Sequence, residues 1–121
     1  MNNEIDKAFE ITKKEKRPAL ISFTVAGDNT SKKSFEILKS ISNTVDIAEW
    51  GIAFNCPGAD GPEIQNSSYR AIKNGITLDS TFSLIKKYKK LKNSKPLILM
   101  GYYQLIYNYG EKKFIKKCKS V

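Results

Sequence analysis

The sequence lacks histidine altogether and contains only two cysteines and one tryptophan. Because histidine is the side chain that most often transfers protons near neutral pH, any acid–base chemistry here must use another residue type, such as a carboxylate. The two cysteines, Cys56 and Cys118, lie far apart and form no CxxC pair. A structural zinc site would therefore have almost no ligands, and we expect no metal site in this chain.

Long hydrophobic runs are also missing. The most apolar segment, Pro96–Tyr103, is much shorter than the roughly 20 residues that a membrane-spanning helix requires. Residues 1–6 contain neither the basic region nor the apolar region of a signal peptide. We therefore expect neither membrane insertion nor export, and we expect a cytoplasmic location.

Arginine is scarce although the chain is strongly basic: Arg17 and Arg70 are its only arginines, and the net charge is +9. A phosphate-binding surface usually combines arginine with stacking aromatic residues. Here the lysines fall on the solvent sides of predicted helices, as at Lys86 and Lys87. We therefore expect no specific nucleic-acid partner. An electrostatic nucleic-acid binder is an alternative, which a steep salt dependence of binding would favour.

What the sequence does contain is a repeated unit of strand, loop and helix. Its 121 residues, 40% of them hydrophobic, suffice for one domain with a core. An amphipathic helix is predicted at about residues 4–15. Strands are predicted at residues 19–24, 45–51 and 96–100, and helices from about residue 31, from 62 to 74, from 78 and from 111 to 119. In the helix from 78, the inward-facing residues are predicted to be Leu78, Phe82, Ile85 and Tyr88. In the last helix, the predicted buried residues are Phe114, Ile115 and Cys118.

Crossovers of this length between successive strands force parallel pairing with right-handed connections. Two architectures fit this α/β pattern, a doubly wound sheet or part of a (β/α)8 barrel. No Gly-x-Gly-x-x-Gly segment follows a predicted strand. A dinucleotide-binding version of the doubly wound sheet is therefore less favoured.

Two carboxylates stand close together in the segment Ala48–Gln65. Glu49 is placed where the second predicted strand ends, and Asp60 lies on the Gly/Pro-rich loop that follows. Two acids held by different kinds of backbone suggest acid–base chemistry. The alternative is an ion-paired Glu and a turn Asp, since Asp-Gly-Pro is common in turns, and spacing alone favours it. By alternation, Glu49 and Trp50 point to opposite faces of the sheet.

Four stretches of the chain resemble the alpha chain of tryptophan synthase, a (β/α)8 barrel. They are Phe23–Asp28, Glu49–Gly51 with Ala59–Gln65, Arg70–Leu78, and Met100–Tyr103 through Tyr109–Gly110. The resemblance runs from the N-terminal helix to the last residue and keeps the family's spacing between Glu-x-Gly and Ala-Asp-Gly-Pro. Because a complete barrel needs about 250 residues, it implies a partial barrel, the N-terminal half, with three parallel strand–helix units after an N-terminal helix.

The resemblance implies an activity, that of a lyase of tryptophan biosynthesis. The family cleaves indole-3-glycerol phosphate in a retro-aldol reaction that gives indole and glyceraldehyde 3-phosphate. By resemblance, Glu49 is the main acid–base residue, and Asp60 binds and polarises the indole N–H. Phe23, Met100 and Tyr102 fall at positions that resemble the indole pocket, and plain core packing is the alternative for these three. The family's phosphate site lies in the half that this chain does not include.

The resemblance also implies a partner, the tryptophan synthase beta chain. The positions that resemble the subunit interface are Ala53, Cys56, Pro57 and Gln104. Cys56 stands where the family usually has an Asp. No cofactor is expected in this chain, since pyridoxal phosphate is expected only on the beta chain. A missing C-terminal half-barrel or a second copy of the chain are further possible partners, and a non-catalytic relic or assembly module is the alternative function.

Overall fold

The computed structural model describes residues 3–121, and within them the chain forms three strands and six helices. The strands are β1 Ile21–Val25, β2 Ile47–Gly51 and β3 Leu97–Met100. The helices are α1 Glu4–Lys14, α2 Ser31–Ile41, α3 Pro62–Lys73, α4 Leu78–Tyr88, α5 Tyr103–Tyr109 and α6 Glu111–Lys119. Each connection between successive strands therefore contains at least one helix.

The three strands form one parallel sheet in the order β1-β2-β3. In this sheet Glu49 lies between Phe23 on β1 and Ile98 on β3. Trp50 belongs to the next row of side chains. Because successive side chains of a strand point to opposite faces, Glu49 and Trp50 lie on opposite faces of the sheet, as the alternation predicts.

The face that carries Trp50 is covered by helices. Trp50 is fully buried, and its core cluster combines the sheet with three helices. Members from these helices are Leu38 of α2, Phe82, Ile85 and Tyr88 of α4, and Phe114 of α6. Helices that follow different strands thus pack on the same face. This is the arrangement of a barrel, because a doubly wound sheet has helices on both faces.

The end of the chain differs from the sequence-based prediction in two respects. The structure contains α5, a helix of seven residues that the sequence pattern does not predict. Gly110, which separates α5 from α6, has a φ of 92°, a conformation that glycine adopts without strain. The prediction that α6 buries Ile115 and Cys118 is wrong, because both are exposed. Phe114 of α6 packs with Leu97 and Leu99 of β3, one of the two edge strands of the described sheet, so only part of the apolar face of α6 is covered.

Candidate functional site

Glu49 lies in the middle of β2 and is half-buried, whereas the other four residues of that strand are buried. Its neighbours in the same row are Phe23 and Ile98. In a barrel, the carboxyl ends of the strands surround the mouth where substrates bind. β2 ends at Gly51, two residues after Glu49. The Glu49 carboxylate therefore lies one row of side chains below that mouth.

Gly51 leaves room for a side chain from the neighbouring strand. A Cβ atom at position 51 would lie 2.5 Å from Phe23 Cζ, which is closer than real Cβ atoms come to other heavy atoms. The Phe23 ring thus covers the end of β2, and only glycine permits this approach. The tripeptide Glu-Trp-Gly combines an inward carboxylate, an aromatic ring packed under the helices and a gap for Phe23 in three consecutive residues.

Asp60 is held on its loop by hydrogen bonds to backbone and side chain. The Asp60 N–H donates to the Pro57 carbonyl (3.0 Å), and Gln65 Nε2 donates to the Asp60 carbonyl (2.8 Å). The Tyr102 hydroxyl donates to Asp60 Oδ2 (3.2 Å) and accepts from the Ala59 N–H (2.9 Å). The turn that Asp-Gly-Pro predicts therefore also gives the carboxylate a defined position.

Four of the predicted site residues line one small cavity at the carboxyl ends of the strands. They are Phe23, Asp60, Met100 and Tyr102. Glu49 does not line this cavity. The volume of about 10 Å³ is the space of roughly one water molecule. Since the rings of Phe54 and Tyr102 both line it with centroids 4.8 Å apart, an indole-sized ligand requires movement of a wall.

Plain core packing was the alternative for Phe23, Met100 and Tyr102, and their exposure bears on it. Met100 is 42% exposed, so it is not a core residue in the described chain. Phe23 and Tyr102 are half-buried. All three thus present part of their surface to the open side of the sheet, where a ligand could reach them.

The predicted interface residues divide between a groove and the exposed loop. Ala53 and Gln104 line a groove of about 440 Å³ that is bordered by the loop after β2, by α4 and by α5. Phe54 lines both this groove and the small cavity, so the two are adjacent. Cys56 is exposed and Pro57 is half-buried, and neither lines the groove.

A clamp that sequence reasoning missed joins the loop after β1 to α3. Asp28 accepts two hydrogen bonds from Arg70, Nε to Oδ1 at 2.7 Å and Nη2 to Oδ2 at 2.9 Å, and a third from Ser67 Oγ at 2.6 Å. The Arg70 guanidinium holds the pKa of Asp28 below its usual value. Asp28 and Arg70 both stand in the stretches that carry the family resemblance, but no local pattern indicates that they pair.

Two structural features are absent from the described part of the chain. Among residues 3–121, no group of three or more His, Cys, Asp or Glu side chains is arranged to hold a metal ion. None of the helices described is long and apolar enough to cross a membrane. The small cavity is lined by the polar side chains of Asp60, Ser68 and Tyr102, and Glu49 lies one row of side chains below the mouth of the barrel.

Parallel strands, crossover helices on one face of the sheet and acidic residues near the carboxyl ends of the strands define this chain as part of a (β/α)8 barrel. The sequence model of the family described as "Tryptophan synthase alpha chain" matches residues 9–121. The chain belongs to the tryptophan synthase alpha chain family, and the resemblance in its motifs is confirmed.

Relatives and solved structures agree with this assignment. The chain is 58% identical over 117 residues to the tryptophan synthase alpha chain of Pelagibacter ubique, covering 97% of this chain and 44% of that protein. The crystal structure of tryptophan synthase subunit alpha from Legionella pneumophila superposes with a TM-score of 0.93 at 30% identity, over 98% of this chain and 45% of that one. A tryptophan synthase complex from Pyrococcus furiosus matches at 36% identity with a TM-score of 0.79, over 84% and 42% of the respective chains.

The matched share of each relative shows how much of a (β/α)8 barrel this sequence covers. The chain spans less than half the length of the curated alpha chains that it matches. The partial (β/α)8 barrel with three parallel strand–helix units after an N-terminal helix is thus confirmed.

Proposed function

We propose that residues 1–121 act as a single unit, the N-terminal half-barrel of an enzyme that cleaves indole-3-glycerol phosphate. The products would be indole and glyceraldehyde 3-phosphate, which makes the reaction a lyase step of tryptophan biosynthesis in the cytoplasm. The observation that carries the proposal is the cavity where Asp60 meets Phe23, Met100 and Tyr102, directly above the row of Glu49. Membership of the alpha chain family supports it.

In the proposed reaction, protonated Glu49 donates a proton to the indole ring carbon that carries the glycerol chain. Asp60 accepts a hydrogen bond from the ring N–H, and its negative charge stabilises the cationic ring. Glu49, now a carboxylate, accepts the proton of the hydroxyl next to the ring. The electron pair of that O–H bond forms the aldehyde C=O, the carbon–carbon bond breaks, and its electron pair returns to the ring to give indole.

The two acids have supports that suit these different tasks. Glu49 is fixed by a strand with a neighbour on each side, so its position changes little during a reaction. Asp60 lies on a loop beside a cavity that must widen to admit the ring. A loop carboxylate can close onto a ligand after it enters. The Phe23 and Tyr102 rings offer flat apolar surfaces for the indole.

Substrate orientation also needs a part that residues 1–121 do not supply. In the family the phosphate is bound in the other half of the barrel, and we propose that this half completes the site here. Without it, the orientation that phosphate binding provides would be lost, and turnover would be very slow. A second copy of the chain is the less favoured completion, since it would bring no such site.

The tryptophan synthase beta chain is the proposed protein partner. The groove that Ala53 and Gln104 line, next to the cavity, is the surface that we assign to it. The similar structure from Pyrococcus furiosus is that of a tryptophan synthase complex, which supports a partner of this kind. Pyridoxal phosphate would then be bound by the beta chain and not by this one.

A chimera tests the proposed function. Residues 1–121 are joined to the remaining C-terminal part of the Pelagibacter ubique relative, and indole release from indole-3-glycerol phosphate is measured. We expect turnover by the chimera, and a loss of about 100-fold or more in kcat after Glu49→Gln or Asp60→Asn. Glu63→Gln, an exposed residue in the first turn of α3, is the matched control and should retain activity.

Two results would contradict the proposal. A folded chimera that releases no indole would favour a non-catalytic relic or assembly module. So would equal activity of the chimera and its Glu49→Gln variant. The separate 121-residue chain, assayed with and without the C-terminal half added as a second polypeptide, shows whether the two halves must be covalently joined.

A further inference from the structure

The Tyr102 hydroxyl makes two hydrogen bonds to consecutive residues of the loop after β2. It accepts from the Ala59 N–H at 2.9 Å and donates to Asp60 Oδ2 at 3.2 Å. A tyrosine hydroxyl has one proton to donate and lone pairs to accept with, so one group satisfies both partners at once. Tyr102 is separated from these partners by more than 40 residues of sequence, so the contact joins two separate loops.

The hydroxyl is mounted on a well-defined part of the structure. Tyr102 is the N-cap residue just before α5, and its ring lies against Phe54 with centroids 4.8 Å apart. Gly101, just before it, packs closely on Ile52, because a Cβ atom at position 101 would lie 3.0 Å from that side chain. Packing on Ile52 and Phe54 therefore places the hydroxyl at the start of the loop after β2, several residues before Ala59 and Asp60 that it contacts.

Residues 56–59 of the loop after β2 have few packing contacts of their own. A Cβ atom added at Gly58 would meet no heavy atom within 4 Å, and Cys56 and Ala59 are exposed. Gly58 N–H donates to the Cys56 carbonyl at 2.9 Å, a bond within the loop. Hydrogen bonds within the loop set the shape of the turn but do not fix the turn relative to the sheet. The two hydrogen bonds of the Tyr102 hydroxyl do fix it, because they join residues 59 and 60 to the segment that follows β3.

We propose that Tyr102 is a positioning residue for Asp60, in addition to its place in the wall of the cavity. Its hydroxyl holds the loop through the Ala59 N–H and occupies Asp60 Oδ2, which leaves Oδ1 free to accept a ring N–H. We call this pair of hydrogen bonds the Tyr102 latch. The consequence for catalysis rests on the proposed function, whereas the consequence for the loop does not.

The test compares two tyrosine-to-phenylalanine changes in neighbouring residues of the chimera. Tyr102→Phe removes the latch and keeps the ring against Phe54. Tyr103→Phe is the matched control, because the Tyr103 hydroxyl donates to Glu111 on the surface, away from Asp60. Hydrogen exchange of the Ala59 amide, followed by NMR, and the kinetics of indole release are measured for both variants.

We expect exchange of the Ala59 amide to be about fivefold faster in Tyr102→Phe and unchanged in Tyr103→Phe. We also expect kcat to fall about tenfold in Tyr102→Phe with KM within about twofold of the parent, because a misplaced Asp60 acts on the transition state more than on substrate binding. A general loss of stability would instead accelerate exchange at many amides.

The outcomes separate this inference from the proposed function. Unchanged Ala59 exchange in Tyr102→Phe would overturn the latch, and faster exchange with an unchanged kcat would overturn its role in positioning. If the parent chimera releases no indole, the proposed function fails and the kinetic role of Tyr102 fails with it, while the exchange of Ala59 still decides whether the hydroxyl holds the loop.

Discussion

Arg17 and Asp46 face each other across the amino-terminal edge of the sheet and share two hydrogen bonds. Arg17 Nη1 donates to Asp46 Oδ2 at 2.7 Å and Nη2 donates to Oδ1 at 2.8 Å. The Leu20 N–H also donates to Asp46 Oδ2, at 2.8 Å. This ion pair joins the segment that follows α1 to the residue before β2. It therefore fixes the N-terminal helix relative to the sheet.

The pair predicts a specific loss of stability in acid. The hydrogen bonds from Arg17 and then from Leu20 hold the pKa of Asp46 well below its usual range. A carboxyl whose pKa is lower in the folded state stabilises the fold above the unfolded pKa of about 3.9, and this contribution is lost as the pH falls toward the folded value. We expect Asp46→Asn to lower the melting temperature of the chimera by about 2–4 °C at pH 7 and by much less at pH 2.

Melting curves between pH 2 and pH 7 check this expectation. Glu15→Gln is the control, because Glu15 is about half exposed and contacts the same guanidinium from one side only. An equal shift for Asp46→Asn at both ends of the pH range would show that its carboxylate charge is not the source of the stability.

The contact of Phe23 with Gly51 predicts a strong effect of one added methyl group. Gly51→Ala would place Cβ 2.5 Å from Phe23 Cζ, so the ring or the end of β2 must move. We expect a loss of about 1–3 kcal/mol in the free energy of unfolding, together with a fall in indole release, because Phe23 forms part of the cavity wall. Gly58→Ala, where a Cβ atom meets nothing within 4 Å, is the matched control. Equal stability of these two variants would contradict the packing argument.

Much of the fold could be predicted from the sequence because its determinants are local. Pro62 begins α3 and the apolar spacing of Phe82, Ile85 and Tyr88 buries one face of α4, as the pattern indicates. The alternation along β2 separates Glu49 from Trp50 correctly. Each of these features depends on residues a few positions apart, where helical and strand periodicity are strong signals.

Other features depend on contacts that no local pattern contains. The seven residues of α5 make about two turns, too few for an apolar repeat to be recognised. The prediction for α6 assumed that its whole apolar stripe would be covered, whereas Phe114 packs on the core and Ile115 is exposed. The cavity and the bonds of Tyr102 to Ala59 join residues more than 40 positions apart. Family resemblance, and not periodicity, indicated which of these residues share a site.

The clamp between Asp28 and Arg70 predicts that the effects of mutating these two residues on the melting temperature are not additive. Arg70→Ala removes the two hydrogen bonds that Arg70 donates, and Asp28→Ala removes the acceptors of these two bonds and of the Ser67 bond, so we expect the double variant to melt within about 1 °C of Asp28→Ala. The melting temperatures of both single variants should lie closer to that of the parent in high salt than in low salt, because screening weakens an exposed ion pair in the parent. Melting curves of the four proteins at low and high salt make the comparison. Fully additive losses would mean that the two residues act independently.

The buried hydroxyl of Tyr88 on α4 predicts a marked loss of stability when its single oxygen atom is removed. The Tyr88 hydroxyl lies 2.6 Å from Ser42 Oγ and accepts from the Lys95 N–H at 2.7 Å. Because Ser42 Oγ donates to the Leu38 carbonyl, the Tyr88 hydroxyl must be the donor to Ser42. It thus connects α4 to the end of α2 and to the segment that leads into β3, in a fully buried position.

Tyr88→Phe would leave the Lys95 N–H without its acceptor and Ser42 Oγ without its donor, while the ring still fills the same space. We expect a loss of about 1–3 kcal/mol in the free energy of unfolding, the cost of unsatisfied polar groups in the interior. Urea denaturation of the chimera measures it, with Tyr107→Phe, 68% exposed, as the control that should change little. If both variants unfold at the same urea concentration, water must replace the lost hydroxyl at position 88, and the network does not hold the two helices together.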